Sequence, residues 1–582
     1  MMPRRKLTRS LTHKFIAAAH RSLLPCCLYA LLAGIAVSAF AQTATPADIQ
    51  QWMAAGQWQL IVDRLGPMPH RSAEMDFDYG TALGHLRRWP DAAAAFRAGE
   101  RLAPRDPRFP TELAGVAFEQ KHYPQAARHL RRALRLTPSD PYIRNFLGTV
   151  YFLENNLPAA IQCWNRVGKP YLASVREEPQ PRVSPSLLDG AFAFSPASTL
   201  TFRQYLDSRQ RVSALGIFPQ YQFDLRARPD GNFDMVFRGD ERNGFGSSRL
   251  EALFLLLRGL PFQEVNPEYD NASHQAINFT STVRWDAQKR RIQAELSGPL
   301  RNSAQMRYGL LLGLINENWA LRQSFTGPAP VLASLNLRRE GLAVDIANVA
   351  RDRAQWSVGA ELSHRDYRNV SASQVLTQPM LAAGFQLKQR TRVTANLWRV
   401  PAHRFTLHGQ ASSQLARLWS PHPQTFAKLQ GGLGWRWFPR AQGEDYETVN
   451  RLRAGETIGQ VPFDELFVLG LGPDNHLPMH AHIGTRDGRK GSAPLGRDYL
   501  LENWESNKNL YSNGIFTMQA GPLIDIGAIR DPGTALGSHQ WLYDAGAQLK
   551  LKAFGEGIAF SWGHDLRTGN NAIYATVLHA AW

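Results

Sequence analysis

Alternation of apolar and polar residues over the last 340 residues limits what this chain can fold into. From Asn243 to Trp582 there is almost no helical periodicity. Runs such as Ile277 to Trp285, Arg392 to Val400 and Lys428 to Trp437 have the two-residue period of a half-buried strand. After the first 41 residues, no stretch approaches the roughly 20 consecutive apolar residues that a membrane helix needs. If this chain crosses a membrane, it does so as a closed barrel, which also satisfies every backbone polar group in lipid.

The final strand also points to a closed barrel. It places Tyr574, Leu578 and Trp582 on one face, and nothing follows Trp582 to cover it. An uncovered edge strand invites aggregation, whereas a barrel pairs its last strand with its first. At about ten residues per strand plus turns, residues 243–582 predict a transmembrane antiparallel barrel of roughly 16 strands. We expect this closing strand to pair with a strand near Ile277 and to turn Tyr574, Leu578 and Trp582 toward lipid.

Residues 1–41 have the pattern of a signal peptide. Six basic residues precede an apolar run from Leu23 to Phe40, and Ala39-Phe40-Ala41 forms a small-residue cleavage site before Gln42. The alternative is an anchoring helix that stays uncut. Removal of the leader takes away six of the 66 Lys+Arg and none of the 49 Asp+Glu, so the remaining charge is 60 minus 49, or +11. Cys163 is the one cysteine left, so no intramolecular disulfide is expected.

The charge pattern narrows the class of partner. After the leader we find no basic run with interleaved aromatic residues, so nucleic acid is excluded as the expected partner. A moderate positive charge on an exported chain favours anionic lipid or lipopolysaccharide instead. We therefore predict an outer-membrane location, with the N-terminal domains in the periplasm.

A 34-residue repeat organises the chain between Asp76 and Gly168. Four columns recur at this interval: Gly80, Ala114 and Gly148; Trp89, Tyr123 and Leu157; Ala92, Ala126 and Ala160; Phe96, Leu130 and Trp164. Small residues where helices touch, large residues where they interlock and a proline after each second helix resemble tetratricopeptide repeats. The resemblance predicts an all-α repeat solenoid over residues 42–168, with residues 44–75 as a degenerate capping repeat.

Repeat stacks of this kind use a concave surface for docking, so we expect this domain to recruit clients or partner proteins. Arg128, Arg131 and Arg135 give one repeat a basic character suited to acidic partners. The alternatives are a spacer without a ligand and, for the arginines, an ordinary solvated face.

Residues 169–242 predict a small α/β module in the order β-α-α-β-β. A strand-like run from Tyr171 to Val175 precedes helices around Ser184 to Ala193 and Thr201 to Leu215. Two alternating runs, Tyr221 to Arg228 and Phe233 to Arg238, are joined by a Pro-Asp-Gly-Asn turn.

This order and the phrase LGIFPQYQFDLRARPDGNFDMVF resemble a POTRA (polypeptide-transport-associated) domain, with Leu215, Gly216 and Phe218 in the turn that follows the second helix. The resemblance implies a periplasmic module that receives a client segment on a strand edge, where Tyr221 and Phe223 would make contact. The alternative is a generic α/β sandwich in which Gly216 is an ordinary helix cap.

The C-terminal region carries the most specific motifs. PLGRDYLLENWE, the LIDIG run and the pair GAQLKL and GIAFSWG resemble the superfamily of the BamA and TamA assembly factors and two-partner secretion transporters, whose barrel is the bacterial surface antigen domain. Of the family's strand motif the chain retains Asp525 and Gly527. The family's lid loop carries an Arg-Gly pair that reaches this motif, whereas this chain has Leu477-Pro478-Met479-His480. We expect His480 or Arg486 to supply the cation for Asp525.

Other chemistry is weakly indicated. His476, His480 and His482 have an H-x3-H-x-H spacing, but no fourth ligand is near, so no metal or other cofactor is expected. We find no nucleophile elbow, P-loop or C-x-x-C motif in the mature chain, and we predict that it is not an enzyme.

The predicted function is assembly or translocation of client outer-membrane or secreted proteins, with periplasmic chaperones or lipoproteins as further partners. Two alternatives join similar repeats to a barrel. One is an exopolysaccharide export porin. The other is a surface lipoprotein assembly modifier, which 14 strands and no POTRA module would favour.

Overall fold

The structure is a computed structural model that describes residues 45–322, 330–371, 373–440, 443–514, 516–531, 536–538 and 540–578. The predicted signal peptide and Trp582 lie outside these ranges. The chain divides into two compact units, Met1–Phe109 and Pro110–Trp582.

The described part of the first unit is helical. Its helices are Pro46–Ala54, Trp58–Leu65, Ala73–His85 and Trp89–Leu102. Gly80 lies so close to Phe96 that a Cβ on this glycine would be 2.7 Å from the ring. The small and large columns of the repeat therefore correspond to a contact between paired helices.

The second unit begins with further helical pairs. The helix Arg108–Glu119 spans the boundary between the units, and Tyr123–Leu136, Pro141–Leu153 and Leu157–Trp164 follow. Gly148 packs on Trp164, where a Cβ would be 2.4 Å from the indole. The predicted helical repeats are confirmed. Among the described helices, none combines the length and apolarity that a membrane span requires.

A small α/β module occupies the positions predicted for it. Its elements are β1 (Tyr171–Glu177), a helix Pro185–Ala191, β2 (Ser198–Thr199), a helix Phe202–Leu215, β3 (Gln220–Ala227) and β4 (Phe233–Asp240). The sheet order is β2-β1-β4-β3. β1 and β4 are parallel, and β3 and β4 form an antiparallel hairpin. The two-residue β2 is too short to give a sequence signal, and it was not predicted.

Local signals in the module explain its long helix. Thr201 and Gln204 form a reciprocal capping box at the start, and Gly216 ends the helix with φ +76°. Phe223 is 4% exposed and packs among aromatic rings, including Phe237 at 5.2 Å between ring centroids. The prediction that Phe223 contacts a client is therefore wrong, because the side chain belongs to the module's core. The Tyr221 hydroxyl donates to the Arg209 carbonyl.

The rest of the chain forms one large sheet. Its strands are β5 (Glu264–Val265), β6 (Glu268–Ala272), β7 (Ile277–Arg284), β8 (Lys289–Leu300), β9 (Ser303–Arg322), β10 (Val331–Asn348), β11 (Ala354–Arg368), β12 (Gly384–Val400), β13 (Phe405–Trp419), β14 (Gln424–Trp437), β15 (Tyr446–Gly459), β17 (Thr485–Arg486), β18 (Arg489–Lys490), β20 (Asp498–Ser512), β21 (Phe516–Arg530), β22 (Leu542–Ala553), β23 (Glu556–Asp565) and β24 (Asn571–Leu578). A helix, Arg249–Leu257, precedes it, and β16 (Phe467–Val468) and β19 (Leu495–Gly496) form a separate pair.

Long neighbouring strands of this sheet are antiparallel, from β7 and β8 to β23 and β24. In the order of neighbouring strands, the last strand, β24, is followed by the first strands, β5, β6 and β7, so this order is circular. The sheet has 18 described strands, of which 14 have eight or more residues. The prediction of roughly 16 assumed about ten residues per strand. Here β9 alone has 20 residues, and residues 460–497 contain only two-residue strands.

The neighbour of the last strand also differs from the prediction. β5 lies between β24 and β7 in the strand order, with Glu264 opposite Arg284 and Val265 opposite Val283. The phenyl ring of Phe262 lies 6.1 Å from that of Tyr574. The two-residue β5 carries no alternation from which this arrangement could have been predicted.

Alternate side chains define the two faces of the sheet. Leu310, Leu312 and Leu314 are exposed on one face of β9, which we call the outer face, whereas the buried charged side chains Glu317, Arg365 and Lys388 lie on the inner face of the sheet. On β24 the outer residue is Ile573, which is 76% exposed and lies opposite the exposed Trp562. The prediction that Tyr574 and Leu578 face outward is therefore wrong, because the register with β23 turns them inward.

The α/β module and the start of the last repeat helix, Leu157–Trp164, contact one end of the large sheet. Four hydrogen bonds join side chains to backbone carbonyls there: Asn156 to Pro401, Arg211 to Ala350, Asn278 to Leu215 and Arg242 to Phe554, at 2.9, 2.9, 2.9 and 2.6 Å. We call this the module end. The longer connections, including residues 460–497, start from the opposite end.

The repeat packing generates a stability prediction. Gly148→Ala should destabilise the helical pair by about 1–3 kcal/mol, because the added Cβ meets Trp164. At Gly115 a Cβ meets only Glu112 Oε2, at 4.0 Å, so Gly115→Ala is the matched control and should stabilise its helix by about 0.5–1 kcal/mol. In the full chain, hydrogen exchange of the helix Leu157–Trp164 measures the effect of Gly148→Ala, and hydrogen exchange of the helix Arg108–Glu119 measures that of Gly115→Ala. Equal protection in the two variants would contradict this packing.

Candidate functional site

Residues 460–497, which we call the inner segment, leave the end of β15 and pack against the inner face of the large sheet before β20 begins. Val461 and Phe463 are buried in one apolar cluster with Trp319 and Leu335. Phe467, Leu469, Leu477 and Met479 are buried in another with Tyr499 and Leu501. Apolar packing thus holds the segment inside the sheet, and three groups of polar contacts fix its position.

The first group is an acidic turn, Phe463–Glu465. Asp464 lies 2.9 Å from Arg339 and 2.6 Å from Arg365, whose side chain is fully buried. Glu465 accepts a hydrogen bond from Lys388 Nζ at 2.6 Å. Burial alone would raise the pKa of Glu465, but the positive charges of Lys388 and Arg339 hold this pKa well below its usual range. Glu465 is therefore bound as a carboxylate.

The second group surrounds Asp474. Its carboxylate lies 2.8 Å from Arg284 on β7, 3.0 Å from Arg291 on β8 and 3.0 Å from Lys490 of the segment itself. Lys490 also pairs with Glu317 on β9, at 2.8 Å. Burial opposes ionisation of Asp474, but the charges of Lys490 and Arg291 outweigh it, so the pKa is held well below the usual value.

The third group is the segment tip, Pro478–His482. His480 Nδ1 lies 2.6 Å from Asp525 Oδ2 on β21, and the His480 backbone N–H donates to the same oxygen at 2.8 Å. Asn503 Nδ2 on β20 donates to the other oxygen of Asp525, at 2.6 Å, and to the Pro478 carbonyl, at 3.0 Å. Asp525 therefore has a partner at both oxygens.

A second carboxylate of the sheet holds the tip beside the first. Asp544 on β22 lies opposite Asp525 in the strand register. It accepts the backbone N–H of Ala481 at 2.7 Å and lies 3.4 Å from His482 Nε2. Two adjacent wall carboxylates thus bind consecutive residues of the tip.

Two glycines of the large sheet allow the tip to lie close to its inner face. A Cβ on Gly563 would lie 2.2 Å from the His480 carbonyl oxygen, and one on Gly527 would lie 3.0 Å from Met479 Sδ. Gly527 therefore contributes space for the tip rather than a polar contact. This role gives the Asp525-x-Gly527 pattern a local physical reason.

The three histidines in and beside the tip, His476, His480 and His482, have pKa values shifted in different directions. Burial lowers the pKa of His480, but the charge and hydrogen bond of Asp525 outweigh burial and raise it overall. Burial lowers the pKa of His476 and of His482. Protonation of His480 therefore favours the bound tip, whereas protonation of the other two opposes it. Within the described ranges, no group of three or more His, Cys, Asp or Glu side chains is placed to hold a metal ion.

The predicted site residues lie in different places. His480, Asp525 and Gly527 meet at the tip, whereas Arg486 lies in the β17–β18 hairpin, opposite Arg489. Of the repeat arginines, Arg128 and Arg135 are exposed, and Arg131 donates to the Tyr151 hydroxyl at 3.2 Å.

Sequence reasoning missed Asp464, Glu465, Asp474, Asn503 and Asp544. The signal for Asp544 is strand alternation, which places it on the same face as other inner residues. Asn503 lies in the PLGRDYLLENWE motif. For the other three, no sequence signal indicated which basic residues they meet.

Comparison with known proteins gives a family match within the repeats and resemblances to solved structures over most of the chain. A tetratricopeptide repeat family model matches residues 111–167. The chain resembles BamA from Haemophilus ducreyi lacking POTRA domains 1–3, with a TM-score of 0.40, 11% identity, 70% of this chain covered and 85% of that chain. It also resembles CdiB from Escherichia coli, with a TM-score of 0.42, 12% identity, 71% of this chain covered and 77% of that one.

CdiB from Acinetobacter baumannii gives a TM-score of 0.42 at 9% identity, with 70% of this chain and 73% of that chain covered. The comparison with curated proteins gave no match. At these identities no residue role is carried over, and the inner segment of this chain is interpreted from its own contacts.

The opposed histidines generate a pH prediction. The pKa of His480 is raised in the bound tip, so its contribution is fully present below about 6.5 and is lost as the pH rises through the raised value. The ratio of tip protection in the wild type to that in His480→Gln should therefore be larger at acidic than at alkaline pH, by up to about tenfold for each unit by which the pKa is raised.

Hydrogen exchange of residues 477–482 at acidic and alkaline pH, corrected for intrinsic exchange, measures this ratio. His422→Gln, at an exposed position in another loop, is the matched control and should leave tip protection unchanged. A ratio independent of pH would show that the ion pair with Asp525 does not hold the tip.

Proposed function

We propose that this chain is an outer-membrane protein that assembles or translocates client proteins, and that it acts without catalysis or a cofactor. The observation that carries this proposal is the inner segment, which is bound to the inner face of the large sheet at three separated places. A barrel filled in this way favours a route along its wall over free passage through its lumen.

The membrane location is supported by the outer face of the sheet. Leucines at alternate positions of β9 face outward, and buried charged side chains such as Arg284, Arg365 and Lys388 of other strands face inward, as in sheets that separate lipid from a polar lumen. We propose that the circular order of strands closes as a transmembrane barrel, with the short turns and the N-terminal domains in the periplasm. Short turns on the periplasmic side are usual for such barrels.

The lumen is the less favourable route because its contents are held by buried charge. Removing one partner from a buried ion pair costs roughly 3–5 kcal/mol. Displacement of the inner segment would separate Asp464 from Arg365 and Asp474 from Arg284, among other pairs. Steady export of a glycan chain through the lumen would require these pairs to break, so the contacts disfavour the exopolysaccharide alternative.

The wall offers a weaker place between β24 and β5. β24 has eight described residues and β5 has two, whereas most strands of the sheet have 12 or more. Because hydrogen bonding between strands scales with their length, this seam is the easiest place for a client strand to add to the sheet.

The N-terminal domains would deliver the client. Apart from the two-residue β2, the module follows the β-α-α-β-β order on which the resemblance to a POTRA domain rests, and β3 is an edge strand of its sheet in the described residues. An extended client segment could pair with this edge beside Tyr221. The exposed Arg128 and Arg135 would recruit acidic clients, chaperones or lipoproteins to the repeats.

A surface lipoprotein assembly modifier is the second candidate, and the 14 strands of eight or more described residues favour it. The module at residues 171–240 counts against it, since that alternative was expected without a POTRA-like domain. Both candidates handle protein clients, so recruitment experiments separate them by the client that is recovered.

Recruitment generates one prediction. Photo-crosslinking residues placed at Arg128 and Arg135 in the full chain should capture unfolded secreted or outer-membrane barrel proteins in envelope extracts. Arg489, an exposed arginine in the inner segment, is the control position and should not capture them. Mass spectrometry identifies the products, and recovery of glycan synthesis enzymes would instead overturn the proposal.

The seam between β24 and β5 generates another prediction. In a Cys163→Ser background, Phe262→Cys and Tyr574→Cys joined by a short bismaleimide should stop the chain from accelerating the folding of a small barrel protein into vesicles. Leu549→Cys and Phe560→Cys, opposite each other on β22 and β23, form the control crosslink and should leave the rate unchanged. Gel mobility before and after heating checks that both barrels are intact. Unchanged activity with the seam locked would point to the lumen.

A further inference from the structure

A basic cleft lies where the α/β module contacts the large sheet. It has a volume of about 400 Å³ and is lined by Arg203 of the module, Arg351 and Arg353 of the turn between β10 and β11, and Ala354, Ala395, Asn396 and Leu397 of the adjoining strands. Three arginines thus line one cavity, and no acidic residue is among its described lining residues.

Backbone groups of the turn that carries Arg351 and Arg353 hold this turn against the module helix; the two arginines themselves form no ion pairs in the described residues. The Asp352 N–H donates to Asp207 Oδ1 at 2.8 Å, and Arg211 Nε donates to the Ala350 carbonyl at 2.9 Å, so the turn is fixed to the module helix. Asp352, the acid between the two turn arginines, is paired with Arg399 at 3.0 Å.

The guanidinium groups themselves remain available. In the described part of the chain, the side chains of Arg203, Arg351 and Arg353 have no ion pair or hydrogen bond with protein groups, and all three residues are exposed. Arginine presents planar pairs of N–H donors that match phosphate oxygens. A cleft with three of them and no acid suits a phosphate-bearing ligand.

The surroundings of the cleft indicate which phosphate. Leu397 and Trp398, on the strand that borders it, are 55% and 60% exposed on the outer face of the sheet. Trp398 packs against Phe405 at 5.6 Å between ring centroids. Aromatic residues at strand ends mark the level of lipid headgroups in membrane barrels. The cleft therefore lies beside the apolar outer face, on its module side.

We propose that this cleft binds the phosphate headgroup of an anionic phospholipid in the periplasmic leaflet. The acyl chains lie along Leu397 and Trp398, and the headgroup joins the module to the sheet through Arg203 on one side and Arg351 and Arg353 on the other. The lipid then fixes the module against the turns of the barrel. This inference rests on the proposed outer-membrane location.

The test reconstitutes the full chain in vesicles of phosphatidylethanolamine with a minor fraction of phosphatidylglycerol. The chain is extracted into nanodiscs, and the retained lipid is measured by mass spectrometry. Phosphatidylglycerol should be enriched over its bulk fraction, and each of R203Q, R351Q and R353Q should lower its retention roughly fivefold. The control is the triple variant R290Q/R417Q/R489Q, which removes the positive charge of three exposed arginines remote from the module end. It should retain lipid like the wild type.

The outcomes separate the possible ligands and the two proposals. Equal loss of lipid in the two sets of variants, or no enrichment in an inserted chain, would overturn the lipid site alone. Release of the lipid by inorganic phosphate at millimolar concentration would assign the cleft to soluble phosphate and also overturn it. Failure of the wild-type chain to insert into vesicles would overturn the membrane location together with the site. Hydrogen exchange of the module, slower with phosphatidylglycerol than without it, checks the joining role.

Discussion

Burial of opposite charges inside the large sheet is the constraint on which the rest of the structure depends. Arg365 is fully buried, and removal of its acidic partner would leave a charge without compensation in a poorly hydrated interior. The partner is Asp464, which is supplied by the inner segment rather than by a neighbouring strand. The basic inner face and the acidic turn therefore require each other, and neither is stable alone.

This dependence extends around the interior. Asp464 and Glu465 bind strands on one side, Asp474 binds β7 and β8, and the tip binds β21 and β22. In the first two groups the segment brings Asp464, Glu465 and Asp474 to cations of the sheet, and its own Lys490 also pairs with Glu317 on β9. At the tip the arrangement is reversed, because the sheet supplies Asp525, the acidic partner of His480. The segment can satisfy these opposite requirements in only one orientation, so charge pattern specifies how it crosses the interior.

More of the architecture than of the candidate site could be predicted from the sequence. Strand alternation and the 34-residue repeat are local patterns, and they indicated the large sheet, the helical pairs and the module. His480 was named as a candidate partner for Asp525 because a buried carboxylate needs a cation. The partners of Asp464, Glu465 and Asp474 depend on the path of residues 460–497 through the interior, which no local pattern encodes. The predicted orientation of Tyr574 was wrong for a related reason. Strand alternation identifies two faces, but only the register with β23 shows which of them is the inner face and which the outer.

The sequence distances spanned by the inner segment have a consequence for how the molecule is made. Arg284 and Asp474 are separated by 190 positions, and Arg365 and Asp464 by 99, so these pairs close long loops. Contacts between residues so far apart form late, after the chain between them has been organised. Until then the interior holds a row of uncompensated cations open to water. The chain would therefore pass through a hydrated, loosely packed intermediate during its own folding, and docking of residues 460–497 would be the step that excludes water and completes the interior.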